Sequence, residues 1–215
     1  MTTIAASGES RFSRAIAARW EVVAFLSPVV IFSLLVVRHA FSFADDHNPI
    51  ILANGASLLL IGVAFALRRP AKDVDRSWTA WGAAIIGDFA PFGMMLQDPV
   101  HWAGYVPLVI QCCALTLSCW AVWNIWESIG IVPANRGIKV GGPYRFIRHP
   151  MYAGVMLSQV ALLLVFPSPI NISMFVILTT FKAIMIRNEE RLLMKDPTYV
   201  SYAQKTRWRV IPFVI

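Results

Sequence analysis

A stretch of thirteen residues between two long apolar runs carries many of the side chains that could do chemistry. It reads Gly142-Pro-Tyr-Arg-Phe-Ile-Arg-His-Pro-Met-Tyr-Ala-Gly154. Pro150 disfavours a helical backbone at His149 and suits the first position of a helix, so His149 is expected just before a helix start. The unpaired N–H groups of that helix end would favour an anionic or hydrogen-bond-accepting group of a ligand.

A second segment near the carboxyl end combines carboxylates, arginines and tyrosines. Glu189 and Glu190 follow an apolar run, and an Asp-Pro pair at 196–197 is typical of a helix cap and the first helical residue. Tyr199 and Tyr202 are three residues apart on that helix and therefore share a face. We predict an amphipathic helix at the membrane interface.

The composition places both segments in a membrane protein. Of the 215 residues, 57% are hydrophobic and 14% are charged, whereas about 25% of residues are charged in soluble domains. Six apolar runs separated by short loops leave no room for an independent soluble domain. The runs comprise residues 22–37, 50–67, 80–96, 103–126, 151–166 and 170–186.

The predicted fold is an all-α, polytopic membrane bundle of about six transmembrane helices in a single domain, residues 1–215. Residues 1–126 would supply four spans, and residues 127–215 a loop, a helical hairpin and a cytoplasmic tail. The hairpin turn at 167–169 returns the sixth run beside the start of the fifth. We therefore expect His149 and Tyr152 to face the two glutamates across a gap between adjacent helices.

The distribution of positive charge predicts the orientation. If six spans place both termini in the cytoplasm, all of the 19 Lys and Arg residues except Arg38 fall on the cytoplasmic side or at its edge. The net charge of +7 is then explained without a nucleic-acid partner. The three cysteines match no zinc or redox spacing, so no metal site is predicted.

Asp88 lies inside the third apolar run. A charge in hydrocarbon is costly, which makes Asp88 a functional candidate by default. The surrounding residues are rich in Gly and Pro, however, and predict a locally broken and hydrated segment. We therefore leave Asp88 outside the predicted site.

The two segments resemble the motifs of the isoprenylcysteine carboxyl methyltransferase family, which includes lipid-amine and small-thiol methyltransferase relatives. The similarity covers residues 129–215 and is carried by two separated motifs in the right order on the same predicted face. The resemblance implies S-adenosylmethionine as cofactor, a lipophilic small molecule or lipid as substrate, and a multi-pass protein surrounded by membrane lipids. It also implies a cofactor pocket within the cytoplasmic ends of the last helices and the tail.

Carried over by position, the resemblance implies roles for residues of both motifs. Arg187, Glu190 and Arg207 would act in catalysis. The cofactor carries a sulfonium and an ammonium, which carboxylates and aromatic faces attract, and a carboxylate that an arginine can hold. The residues implied in cofactor binding are Tyr144, Arg148, His149, Pro150, Tyr152, Gly154, Glu189, Glu190, Tyr199 and Tyr202. We expect His149→Ala and Glu190→Gln to weaken cofactor binding and to leave folding intact.

Plainer roles for these side chains stay open. The arginines could hold anionic lipid head groups, and the glutamates could form ion pairs with Arg187 or Arg191. The tail tyrosines could be interfacial anchors, and His149 could cap a loop carbonyl.

Two other functions compete with methyl transfer. Sterol reductases resemble the same Arg-His-Pro-x-Tyr-x-Gly element, which would indicate an NADPH-dependent membrane reductase. A non-enzymatic lipid-binding module is the third hypothesis, but it leaves the coincidence of two motifs unexplained. The Glu-Glu-Arg-Leu-Leu run favours the methyltransferase.

Overall fold

A computed structural model describes residues 11–68, 73–74, 77–96, 98–100, 104–126, 128–129, 134–135 and 137–212. These residues form the helices α1 (Arg11–Asp46), α2 (Pro49–Ala66), α3 (Trp78–Phe89), α4 (Val106–Ile125), α5 (Pro150–Val165), α6 (Pro169–Leu193) and α7 (Pro197–Lys205). Short 3-10 turns lie at Ala90–Gly93 and Gly142–Arg145, and β1 (Asp73–Val74) pairs antiparallel with β2 (Ala134–Asn135). Apart from that two-residue pair, the predicted all-α class is confirmed for the described residues.

Four of the described helices are long and apolar enough to cross a membrane. They are Pro28–Asp46 within α1, and α2, α4 and α6. Helix α5 is apolar but has 16 residues, and α3 has 12, whereas a span of the hydrocarbon core needs about 20. Each predicted run thus contains a helix, while the count of six spans and the cytoplasmic orientation of both termini stay predictions.

The third run is broken, as its Gly and Pro content predicts. Helix α3 ends one residue after Asp88, and Pro91 lies in the 3-10 turn that follows. Asp88 accepts a hydrogen bond from Nζ of Lys182 on α6, and both side chains are more than nine-tenths buried. Arg38, predicted beyond the first span, instead lies within it and donates to the carbonyl of Pro91 at 3.0 Å.

Local chemistry explains where the last two helices begin. The Asp196 side chain caps α7 by accepting from the N–H of Thr198, and Pro197 takes the first helical position, as predicted. Ser168 caps α6 in the same way. The turn at 167–169 therefore closes the predicted hairpin, which brings the start of α5 and the end of α6 to the same end of the bundle.

Both apolar packing and a buried polar chain join the helices. The Asn54 amide on α2 donates to Ser158 Oγ on α5 at 2.7 Å, and Ser158 Oγ donates to Gln111 Oε1 on α4 at 2.9 Å. Such bonds hold helices together where lipid offers no polar partner. The largest apolar cluster of α1, α2 and α4 contains Phe32, Leu35, Leu58, Ile61, Ala64, Phe65 and Val122, with Ile129 from the following loop.

Candidate active site

His149 lies between the two carboxylates at the shared end of α5 and α6. Its Nε2 is 3.3 Å from Glu190 Oε1, and its Nδ1 is 3.9 Å from Glu189 Oε2. Tyr152 lies one turn further along α5 and donates its hydroxyl to Glu189 Oε2 at 3.1 Å. The predicted meeting of these residues is confirmed, although they are in direct contact and not across a gap. The alternative in which His149 caps a loop carbonyl is not favoured, because the polar contacts of its ring among the described residues are with the two glutamates.

Both oxygens of Glu190 are occupied by arginines. Arg148 Nη1 lies 2.9 Å from Oε1, and Arg209 Nε donates to Oε2 at 2.8 Å. The Glu190 side chain is only 8% exposed. The plain ion-pair role is thus correct in kind for Glu190, but its partners come from the loop before α5 and from the tail, not from Arg187 or Arg191 on its own helix.

The tail is also joined to the first motif through main-chain hydrogen bonds. The N–H of Arg148 donates to the carbonyl of Trp208, and the N–H of His149 donates to that of Arg209, both at 2.8 Å. Ile147 and Trp208 form a parallel bridge. The backbone before α5 is therefore held by the chain segment that follows α7.

A cavity of about 100 Å³ opens at this end of the bundle. Its wall combines polar side chains of both motifs with apolar side chains such as Ile125, Met151 and Leu193. Seven of the ten residues predicted to bind the cofactor line it: Tyr144, Arg148, His149, Tyr152, Glu189, Tyr199 and Tyr202. The structure thus gathers most of the predicted set around one space.

Three predicted cofactor-binding residues do not line the cavity: Glu190, Pro150 and Gly154. Gly154 faces α4, where an added Cβ would lie 2.3 Å from Ser118 Oγ and 3.2 Å from the carbonyl oxygen of Ala114. The prediction that Gly154 lines the pocket is therefore wrong. The glycine instead allows the close approach of α4 and α5. Pro150 is buried as the first residue of α5 and sets the helix start.

The two arginines implied in catalysis also lie outside the cavity wall. Arg187 and Arg207 have exposed side chains and do not line its wall. Arg207 contributes through its main chain, since its carbonyl accepts a hydrogen bond from Arg148 Nη2 at 3.2 Å. The catalytic role implied for these two residues stays a prediction that this geometry does not favour.

The tail tyrosines are packed into the site and are not lipid-facing anchors. The rings of Tyr199 and Tyr202 lie 5.6 Å apart on one face of α7, as predicted. Tyr202 donates its hydroxyl to the carbonyl of Tyr144 at 2.7 Å, whereas the buried hydroxyl of Tyr199 finds no hydrogen-bond partner among the described residues. Burial raises the pKa of Tyr202 to about 12 and that of Tyr199 further. Both hydroxyls therefore stay protonated at neutral pH.

Lys139 and Ser128 line the cavity and were not predicted. Lys139 is exposed in the loop that enters the first motif. Arg148 is already paired with Glu190, so Lys139 supplies a cation whose charge no described carboxylate neutralises. The only signal in the sequence is its position three residues before Gly142, which is not a specific one.

Comparison with known proteins agrees with this geometry. Residues 99–197 match the family model described as phospholipid methyltransferase. No curated protein matches the chain. The match includes α4, α5 and α6 and ends at Pro197, the first residue of α7, so it covers the first motif and both glutamates. Over these residues, just under half of the chain, the protein is similar to the phospholipid methyltransferases of the isoprenylcysteine carboxyl methyltransferase family.

Proposed function

We propose that this protein is an integral-membrane methyltransferase that uses S-adenosylmethionine to methylate a lipophilic acceptor. Similarity to this family supports methyl transfer at a membrane to a lipid-like substrate. The observation that carries the choice of cofactor is the cavity at the end of the α5–α6 hairpin, where Glu189 and the unpartnered Tyr199 hydroxyl meet.

The chemistry of the cavity wall fits the proposed cofactor. The Glu189 carboxylate suits an ammonium, Lys139 suits a carboxylate, and the free hydroxyl of Tyr199 suits a polar group of the nucleoside. Apolar side chains of Ile125 and Leu193 suit its base. Pockets for ligands of this size usually hold about 300 Å³ or more, so we expect the exposed loop at 137–140 to move outward on binding.

When bound, S-adenosylmethionine supplies an electrophilic methyl group on a sulfonium. The residues of the chain bind and orient. Tyr152 donates to Glu189 and fixes the direction of its carboxylate, and the faces of the surrounding tyrosines attract positive charge. Glu190 does not face the cavity; it holds Arg148 and His149 in place. Methyl transfer then depends on positioning of the acceptor and exclusion of water.

The test compares two ligands and the substitution of two carboxylates, one in the cavity wall and one far from it. Calorimetry on the purified chain should show binding of S-adenosylhomocysteine and none of NADPH. Glu189→Gln should weaken S-adenosylhomocysteine about ten- to a hundredfold, because a hydrogen bond to a charged group contributes about 1.5 to 3 kcal/mol.

The matched control is Asp45→Asn, which removes the same charge at an exposed position near the end of α1. It should leave the affinity unchanged. Equal affinity of Glu189→Gln and the wild type would contradict the site, and binding of NADPH alone would favour the reductase.

A further inference from the structure

A second cavity, of about 50 Å³, lies deeper in the bundle between α1, α2, α3, α5 and α6. Met151 and Tyr152 line both cavities, so the two spaces are separated by these side chains. Much of the second wall is apolar, as at Phe32, Leu58 and Phe65. The position suits a lipophilic ligand that reaches the candidate methyl donor from within the bundle.

Three polar side chains interrupt this apolar wall. Lys182 Nζ donates to Asp88 and lies 5.5 Å from the centre of the Tyr152 ring. Gln159 is 3% exposed, and its Oε1 has no hydrogen-bond donor among the described residues. A buried acceptor without a donor costs about 1 to 3 kcal/mol. The Gln159 oxygen therefore indicates a missing donor. The ionisable pair Asp88–Lys182 indicates a ligand site as well, because ionisable groups within membrane helices commonly mark substrate sites.

These polar groups share one level of the bundle. Gln159 follows Tyr152 by seven residues on α5, and Lys182 precedes Glu189 by seven residues on α6. Because the two helices are antiparallel, the Cα atoms of Gln159 and Lys182 both lie about 10 Å below those of Tyr152 and Glu189, at 1.5 Å per residue. The flexible Lys182 side chain extends back from this level toward the Tyr152 ring. A ligand that touched both levels would carry polar groups about 10 Å apart.

We propose that the second cavity binds the methyl acceptor by a polar group about 10 Å from the methylated atom. Gln159 Oε1 accepts a hydrogen bond from that group, and the Asp88–Lys182 pair completes its surroundings. The proposal rests on the proposed function. A hydroxyl fits, because it donates to Gln159 and accepts from Lys182, whereas a carboxylate would be repelled by Asp88. The volume of the second cavity accommodates one hydroxyl with a few carbons, but not a complete alkyl chain.

The test uses two probes of equal chain length, 1,10-decanediol and decane, which lacks the hydroxyls. The full chain is placed in phosphatidylcholine nanodiscs, and its unfolding temperature is measured with equal amounts of each probe. The diol should raise the midpoint by about 2 °C or more above the value with decane. Non-specific effects of the probes on the bilayer are the same for every variant, so they cancel in the comparison.

Gln159→Met should abolish the preference for the diol. It keeps the side-chain volume and removes an oxygen that has no partner, so the fold is retained. Asp88→Asn with Lys182→Met, which removes both charges together, should also abolish it. Thr116→Val is the control, because Thr116 is exposed on α4 and bonds only to its own helix; it should keep the preference.

The outcomes separate this inference from the proposed function. Equal effects of the two probes on the wild type, or a preference that persists in Gln159→Met, would overturn the inference. S-adenosylhomocysteine is added in a parallel series. If it stabilises the wild type and Gln159→Met equally while the diol preference is absent, only the second site is wrong. If it stabilises neither, the proposed function fails.

Discussion

The residues just before α5 and those near its first turn are held in place by different kinds of interaction. Before its first turn, Arg148 and His149 are fixed by the carboxylate of Glu190 and by the backbone of the tail. One turn further, Gly154 packs against Ser118 on α4 with no room for a methyl group. The first region depends on charge and on partners from two other parts of the chain, α6 and the tail, whereas the second depends on volume alone. Substitutions that remove charge should therefore destabilise the first region, and substitutions that add volume should destabilise the second.

The largest effect is expected from breaking the charged region. Glu190→Gln leaves the buried guanidinium of Arg148 without its counter-ion, and such losses cost about 3 to 5 kcal/mol. Arg209 is half-exposed and water can solvate it, so the lower end of that range is expected. Thermal unfolding of the purified chain measures the change. The sequence predicted intact folding for this variant, whereas the two ion pairs lead us to expect a loss of stability.

Asp45→Asn again serves as the control, since exposed substitutions change stability by about 0.5 kcal/mol or less. If Glu190→Gln were as stable as Asp45→Asn, the ion pairs would not hold the tail. A Glu190→Gln chain that folded but lost S-adenosylhomocysteine would instead return Glu190 to the cofactor site.

A smaller loss is expected in the region that depends on volume. Gly154→Ala should destabilise by about 1 to 3 kcal/mol, because the new methyl group meets the backbone of α4 as well as Ser118. Adding Ser118→Ala should recover part of that loss by removing the nearest atom. Gly82→Ala is the matched control: nothing lies within 4 Å of its Cβ, and a helical alanine is favoured by up to about 1 kcal/mol. Equal unfolding midpoints for the two alanine variants would refute the close contact.

The smallest effect concerns the hydroxyl that joins the tail to the first motif. Tyr202→Phe removes the bond to the Tyr144 carbonyl and should cost about 1 kcal/mol. Cofactor affinity should change little, because that hydroxyl is already used within the protein. A large loss of affinity with unchanged stability would show that it contacts the ligand.

The same tyrosine predicts a pH dependence. Burial raises its folded pKa to about 12, above the ordinary value of about 10. The folded state holds the proton more tightly, so the stabilisation is complete below pH 10 and is lost as the pH rises through about 12. Unfolding midpoints between pH 9 and 12 should fall less steeply for Tyr202→Phe than for the wild type. Parallel curves would contradict the raised pKa.

The sequence was sufficient to bring the site together but not to orient it. Pro150 marks the start of α5, the turn at 167–169 marks a hairpin, and these local signals place His149 beside the glutamates. Which glutamate faces the cavity is not local information. Adjacent helical residues point about 100° apart, and only the packed position of α6 decides that Glu189 faces the cavity and Glu190 the arginines.

Long-range pairs escaped prediction for a related reason. The break in the third run was visible in its Gly and Pro residues, whereas the pairing of Asp88 with Lys182 joins helices that are not consecutive in the chain. Arg209 likewise meets Glu190 because the path of the tail returns across the end of the bundle. No periodicity in the sequence records that path.

The return of the tail has a consequence for the order of assembly. The backbone of residues 147–149 obtains its hydrogen-bond partners from residues 208 and 209, which are synthesised some sixty residues later. Helix α5 ends more than forty residues before Trp208, so α1 to α5 can leave the ribosome before residues 208 and 209 do. The nascent chain then has these helices but an unfinished site, and we expect cofactor binding to begin only after Arg209 has emerged. Helix formation and completion of the candidate site are thus expected to be separate events in the life of each molecule.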